Sequence, residues 1–199
     1  VSRTDLQSLR SLRKMRHTAF KYIPNPVDAE RFRPADIEEA KLRLGIPVSS
    51  FVVGTVSRLV EQKGVDVLIR AVAQVPGMDL VIVGSGHLDG ELKRLAVSLG
   101  VNCLFLGERQ DIPEIISAFD VFALSSLWEG EPLSLLEAMA CGVACVASMT
   151  PGSKDILEQG AAGALFPIGD ADALAKVLRR FHEEPDQVSN LRRAGLGVA

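Results

Sequence analysis

Cysteine is scarce in this sequence, and the scarcity excludes a disulfide-stapled scaffold: only Cys103, Cys141 and Cys145 occur in 199 residues. All three lie in apolar stretches. The Cys141–Cys145 spacing does not suit a common zinc knuckle and no histidine is close, so buried, reduced thiols in a reducing compartment are expected. His17, His87 and His182 are scattered through polar contexts and point to no metal cluster. No apolar run approaches the ~20 residues that a membrane-spanning helix needs. Basic charge is not in excess: 22 Lys and Arg face 25 Asp and Glu, giving a net charge of -3, which argues against nucleic acid as the main partner. Low-complexity linkers are lacking, and so is any repeat beyond the unit described next. The start, Val1-Ser2-Arg3-Thr4-Asp5, is polar and has no initiator Met. It carries no secretory signal and reads as a trimmed chain or an excised domain.

What is present is a core. Hydrophobic residues make up 47% and charged residues 24%, so a packed domain is expected rather than disorder. From Val48 on, short apolar runs alternate with helical periodicity. Residues 51–56, 79–84, 102–107, 120–125 and 143–148 read as strands, each almost continuously apolar, as strands covered on both faces are. Between them Val65–Val75, Leu88–Leu99, Ile112–Ala118 and Leu133–Ala140 carry 3.6-residue patterns. Repeated β-α units imply an α/β fold with a doubly wound parallel sheet and right-handed crossovers. The expected organisation has three parts. Residues 1–47 supply a basic helix (1–21), a short strand with a Pro-rich turn in "KYIPNPVD", and a connecting segment with one helix stopped by Gly45 and Pro47. Residues 48–182 form the core, and 183–199 a C-terminal helix.

In such sheets ligands sit outside the carboxyl ends of the strands, so the strand-to-helix loops carry the chemistry. The first loop, "SRLVEQKG" (57–64), holds Arg58 and Lys63, with Lys63 at the start of the next helix. A planar fork and a point charge beside a helix N-terminus suit a phosphate or diphosphate. The plainer alternative is two solvated cations with Glu61 as a partner. "GSGHL" (84–88) lets backbone approach a ligand at Gly84, but it lacks the third glycine of a dinucleotide fingerprint and reads mainly as a tight turn.

The richest stretch is "SSLWEGEPLSLLEAMACG" (125–142). Pro132 suits the first position of a helix, where its missing N–H is not needed. Glu137 then falls among Leu133, Leu136 and Ala140, near the buried side, where a carboxylate needs partners. Two sugar hydroxyls would serve. Glu129 stays in the preceding loop and Glu131 is the more exposed acid. Ordinary first-turn acids explain Glu131 well and Glu137 poorly. Trp128 reads as packing rather than a sugar platform. Asp170-Ala171-Asp172 spells a metal-binding D-x-D, yet after Gly169 and before "ALAKVLRRF" it reads as an N-cap with a first-turn acid. The basic run from Arg10 to Lys21 reads as a solvated helix face, with an anionic membrane surface as the alternative.

These loops together resemble the C-terminal, donor-binding domain of the family 4 retaining glycosyltransferases, enzymes with two Rossmann-like domains in the GT-B fold. The resemblance runs from "YIPNPVDAERFRP" through "VVGTVSRLVEQKGVDVLIRA", "LVIVGSGHL", "LFLGERQDI" and "DVFALSSLWEGEPLSLLEAMACGVACVAS" to "ALFPIGDADALA". It implies a hexosyltransferase-type enzyme of polysaccharide biosynthesis that moves a sugar from a UDP- or other NDP-sugar to a saccharide or lipid-linked acceptor. Arg58 and Lys63 would hold the diphosphate, Glu137 the ribose hydroxyls, and Glu129 would lie by the donor sugar and the reacting centre. Backbone from Gly130 through Glu131, Pro132 and Leu133 to Ser134 would hold the sugar and phosphates, and Arg109 to Ile112 would border the base. No metal and no cofactor are implied. The acceptor would be bound mainly by an N-terminal domain that this sequence lacks, in the cytoplasm or at the cytoplasmic face of the membrane, and the domain alone would turn over poorly or not at all. Alternatives are a sugar-nucleotide epimerase of similar architecture and a non-catalytic nucleotide-sugar-binding module. Glu131-Pro132 stands where the family often has an aromatic and a glycine, Asn25-Pro26 where it often has Asn-Gly, and "SMTPGSKDIL" follows the acceptor-side loop only loosely.

Overall fold

Apolar runs pair edge to edge into one parallel sheet. In the computed structural model, which describes residues 23–158 and 161–199, six strands appear among the described residues. They are β1 (Phe51–Val56), β2 (Met78–Val83), β3 (Cys103–Gly107), β4 (Val121–Leu124), β5 (Ala144–Ser148) and β6 (Gly163–Phe166). Their order is β3-β2-β1-β4-β5-β6, and every neighbouring pair is parallel. Val53 and Gly54 are paired on both sides at the centre, Val53 facing Leu80 on β2 and Val121 on β4.

The helices are α1 (Ile37–Arg43), α2 (Val65–Val72), α3 (Asp89–Ser98), α4 (Ile112–Ile116), α5 (Leu133–Ala140), α6 (Pro151–Leu157), α7 (Ala171–Glu183) and α8 (Pro185–Leu196). They cover both faces. One core cluster joins Leu68, Ile69, Leu92, Leu174 and Phe181 of α2, α3 and α7 to one side of the strands. The other joins Ile115, Leu135, Met139 and Ile156 of α4, α5 and α6 to the opposite side. The last helix links the two, since Val188 packs in the first cluster and Ala194 against the second. Burial on both faces explains why the strands read as unbroken apolar runs.

The five strands expected from sequence and the helices between them are present, with ends moved by a few residues. Three differences have physical causes. The described part of "KYIPNPVD", residues 23–28, is irregular rather than a strand; Pro24 and Pro26 have no N–H to give a ladder. Its first two residues, and the basic helix expected over 1–21, lie outside the described residues. Strand β6 is only four residues long and begins at a glycine, too short to show a period. Helix α6 begins at Thr150-Pro151, where the Thr150 side chain accepts from the Ser153 N–H, a start signal that sequence reading left as a loop.

A buried lysine and a partly buried aspartate lock the amino-terminal end. Lys41, 4% exposed, donates to the Ser50 carbonyl and to Asp120, both at 2.7 Å, and Asp120 also accepts from the Val52 N–H. A buried ammonium is tolerated because it is paired with a carboxylate and two of its three donors are bonded.

Candidate functional site

Strand order reverses direction between β1 and β4, so the chain leaving β1 turns to α2 on one face while the chain leaving β4 turns to α5 on the other. The loops after these strands therefore part around a crevice at the switch point. Both loops carry the acids and cations singled out above.

After β1 the chain makes a 3-10 turn over Glu61–Lys63 and passes through Gly64 at φ 53 before α2 begins. Lys63 thus ends this turn instead of opening the helix. A β-carbon on Gly64 would lie 2.4 Å from the Ser125 carbonyl oxygen, so only glycine lets the two loops touch there. They are laced together. The Leu127 N–H donates to the Gln62 carbonyl at 2.8 Å, the Gln62 amide to the Trp128 carbonyl at 3.0 Å, and the Ser125 hydroxyl to the Lys63 carbonyl at 3.1 Å. Arg58 stays exposed and reaches Gln62 at 3.4 Å. Glu61 pairs with His87 at 2.9 Å, so it does not serve as partner to the two cations.

Lys63 instead donates to Glu129 Oε1, and the Ser126 hydroxyl donates to the same oxygen at 2.7 Å. Their side chains are only 15% and 9% exposed. An ammonium has three donors, so Glu129 leaves two for a ligand. Gly130 follows, pressed against α6: a β-carbon on Gly152 would fall 1.4 Å from the Gly130 carbonyl oxygen.

Pro132 caps α5 rather than occupying its first turn. Its φ and ψ of -74° and 111° are extended, and its carbonyl accepts from the Leu135 N–H at 3.2 Å. The free N–H groups of the first turn, near Leu133 and Ser134, therefore open toward the crevice end of α5. Glu137 lies one turn further along and is half-buried. No hydrogen bond from the described residues reaches its carboxylate. Burial pushes its carboxyl above the ordinary range, and the Arg31 charge partly offsets this. Leu133, expected beside it on the buried side, is exposed. Trp128, expected to pack, is 57% exposed while its carbonyl is held by Gln62.

A neighbouring cleft of ≈ 300 Å³ lies at the ends of β1 to β3, lined by Ser57, Arg58, Gly84, Glu108, Arg109 and Ile112 among others. It brings the expected base-side residues to the foot of Arg58. Gly84, at φ 128, would place a β-carbon 1.9 Å from the Ser57 carbonyl oxygen, so its glycine serves close packing of the two loops. Arg109 is fastened to Asp111, its Nε donating to Oδ1 at 2.8 Å. Glu131 accepts from Asn25, described below. Sequence reading missed Ser57, whose buried hydroxyl has no hydrogen-bond partner among the described residues. It also missed Gln62 and Ser126, which hold the loops. Single hydroxyls and amides in polar loops carry no periodic signal.

Among the described residues no three His, Cys, Asp or Glu side chains converge as metal ligands would. Asp170 caps α7, accepting from the Ala173 N–H at 2.8 Å, and Asp172 accepts from the Gln74 amide at 2.9 Å. Both D-x-D acids are thus occupied by the fold.

A doubly wound parallel sheet, with a cation-bearing loop and an acid-bearing loop meeting at its switch point, defines a Rossmann-like α/β domain. The model of the family Glycosyl transferases group 1 matches residues 36–196, and the chain belongs to that family. It is 35% identical over 199 residues to the GDP-mannose-dependent monoacylated alpha-(1-6)-phosphatidylinositol monomannoside mannosyltransferase of Corynebacterium glutamicum, covering 92% of this chain and 51% of that one. It is 38% identical over 181 residues to the UDP-Gal:alpha-D-GlcNAc-diphosphoundecaprenol alpha-1,3-galactosyltransferase of Escherichia coli, covering 85% and 46%. Anabaena Alr3699/HepE, crystallised with UDP and glucose, superposes with a TM-score of 0.83 at 30% identity, over 89% of this chain and 51% of that one. The chain spans about half the length of the curated relatives it matches. Among the described residues no helix is long and apolar enough to cross a membrane.

Proposed function

We propose that this chain is the donor-binding domain of a retaining glycosyltransferase and binds a nucleotide-sugar, UDP-sugar first, for transfer to a saccharide or lipid-linked acceptor. One observation carries the reading: Lys63 from the β1 loop and Glu129 from the β4 loop meet at the switch point, one helix turn before the half-buried carboxylate of Glu137, which no hydrogen bond from the described residues reaches. In this reading Arg58 and Lys63 hold the diphosphate together with the N–H groups that open α5. Glu137 accepts from the two ribose hydroxyls, which explains a half-buried acid that accepts no hydrogen bond from the described residues. The base enters the cleft by Gly84, Arg109 and Ile112, beside the Ser57 hydroxyl, which has no hydrogen-bond partner among the described residues. Backbone of Gly130 to Ser134 faces the sugar, and Glu129 stands nearest the reacting centre.

In the transfer, the bond between the anomeric carbon and the diphosphate oxygen breaks and the electron pair leaves with the diphosphate. The acceptor hydroxyl bonds to the same face of that carbon and gives its proton to the departing diphosphate oxygen. Charge developing on the diphosphate is met by Arg58, Lys63 and the α5 N-terminus, so the reading assigns no role to a metal. Acceptor recognition is assigned to the portion of the longer relatives that this chain does not span, so the domain alone turns over poorly. A cytoplasmic setting, with peripheral contact to a membrane surface, fits the relatives that act on lipid-linked sugars.

Calorimetric titration with UDP, GDP, UDP-glucose and GDP-mannose tests this. Saturable binding of at least one nucleotide, weakened tenfold or more by both Arg58→Ala and Glu137→Ala, is expected. Binding to none, or binding indifferent to both substitutions, overturns it.

A further inference from the structure

Residues 25–31 run as irregular chain from the β4–α5 loop to the β3–α4 loop, and they are fastened at both ends. At one end the Asn25 N–H donates to Glu131 Oε2 at 3.2 Å, and the Asn25 side-chain amide donates to the Glu131 carbonyl at 3.1 Å. At the other, Arg31 Nη2 donates to the Gln110 carbonyl at 3.0 Å. Between them the Asp28 carboxylate accepts from the N–H groups of Glu30 and Arg31, both at 3.1 Å, and Phe32 anchors the turn in the core. Pro24 and Pro26 flank Asn25 and stiffen it, since a residue before proline is held extended. An exposed segment that makes two sequence-distant attachments, each to a loop at the carboxyl edge of the sheet, is more than a linker.

We propose that Asn25–Arg31 is a positioning strap for the donor, with Asn25 setting the Glu131–Pro132 backbone at the sugar end and Arg31 setting the Gln110–Asp111 backbone at the nucleoside end. The inference rests on the donor-site reading above and adds that two fastenings of one segment act on different parts of one ligand. The Glu131 side chain is then no contact to sugar or acceptor: its carboxylate accepts from the Asn25 N–H, and the residue acts on the sugar through its backbone and the peptide that leads into α5. Arg31 has a second effect in the same direction, because its charge favours the ionised form of Glu137.

Calorimetry on the 199-residue chain with UDP and UDP-glucose separates the ends, with GDP and GDP-mannose used where those bind better. Arg31→Ala is expected to weaken the nucleoside diphosphate and its sugar ester by the same factor, roughly three- to tenfold, with partial rescue by Arg31→Lys. Asn25→Ala and Glu131→Ala are expected to weaken the sugar ester more than the diphosphate, while Glu131→Gln, which keeps an acceptor for the Asn25 N–H, retains wild-type discrimination. Thermal melts run alongside establish that each variant is folded. Equal effects of all the alanine variants on both ligands overturn the strap, as do no effects at all, or a Glu131→Gln change as large as Glu131→Ala. A wild-type chain that binds no nucleotide overturns the donor-site reading itself, and the strap with it.

Discussion

Lys63 and Glu129 come from loops 66 residues apart and are ion-paired across the switch point, with the Ser126 hydroxyl donating to the same carboxylate oxygen. Sequence assigns them to different parts of a ligand, yet without one they are each other's partner. Both are largely buried, so removing either leaves the other short of a partner. Lys63→Met and Glu129→Gln should each lower stability by about 2 kcal/mol. The double variant should recover part of this, with a coupling of about 1 kcal/mol or more. Urea unfolding midpoints of the four proteins measure it; strict additivity would show that the pair is incidental.

Gly152 is the second residue of α6, where alanine ordinarily favours a helix by up to about 1 kcal/mol over glycine. Here the sign should reverse. The new methyl would sit 1.4 Å from the Gly130 carbonyl oxygen, which is backbone and cannot rotate away. Gly152→Ala should cost about 1–3 kcal/mol through overpacking and push the Glu129–Pro132 loop out of place. A melting temperature equal to or above wild type would mean that the loop is free to yield. Nucleotide affinity should fall with stability, because the displaced loop carries Glu129.

The three thiols should be sluggish. Burial pushes Cys103 and Cys141 up to about 12, and Cys145 higher still. At pH 8 the thiolate fraction is then far below that of a free cysteine, and the thiolate is the reactive form. Iodoacetamide should label Cys141 and Cys145 of the folded chain only at the rate of unfolding and the partly exposed Cys103 slowly, while denaturant exposes all three. Rapid labelling of one cysteine in native buffer, read by peptide mass, would contradict the packing around it.

Much of this was legible because it is periodic. Strands covered on both faces show as apolar runs, and α5 shows the spacing that sets Glu137 apart from Glu129. Arg58, Lys63 and the two acids were visible because charges cluster rarely in loops that follow apolar strands. What escaped has no period. Strand β6 is four residues long, and α6 announces itself only by Thr150-Pro151. Asn25 meets Glu131 from 106 residues away, a distance no local pattern encodes. Pro132 misled by one position, since proline suits both the cap and the first turn and only ψ separates them. Glu131, conspicuous beside Glu129, turned out to be fastened to Asn25.

Glu137 gives the sharpest pH prediction. Its carboxyl is raised by burial, with Arg31 offsetting part of the shift. The folded chain therefore holds this proton more tightly than the unfolded chain does. Its stabilising contribution is complete below the ordinary carboxylate value of 4.5 and is lost as pH rises through the folded value. At neutral pH the ionised group is a net cost, modest because the carboxylate is only partly buried and keeps contact with solvent, below about 1 kcal/mol. Glu137→Gln should thus melt slightly above wild type at pH 7, and the difference should vanish near pH 4. Nucleotide binding should move oppositely. An amide accepts only through one oxygen, so the glutamine variant should lose affinity at pH 7, whereas wild type should lose it on acidification at a pH above the ordinary carboxylate range. A variant that is both more stable and a weaker binder marks a carboxylate kept for its ligand. If Glu137→Gln melts lower at pH 7 and binds equally well, the acid belongs to the fold.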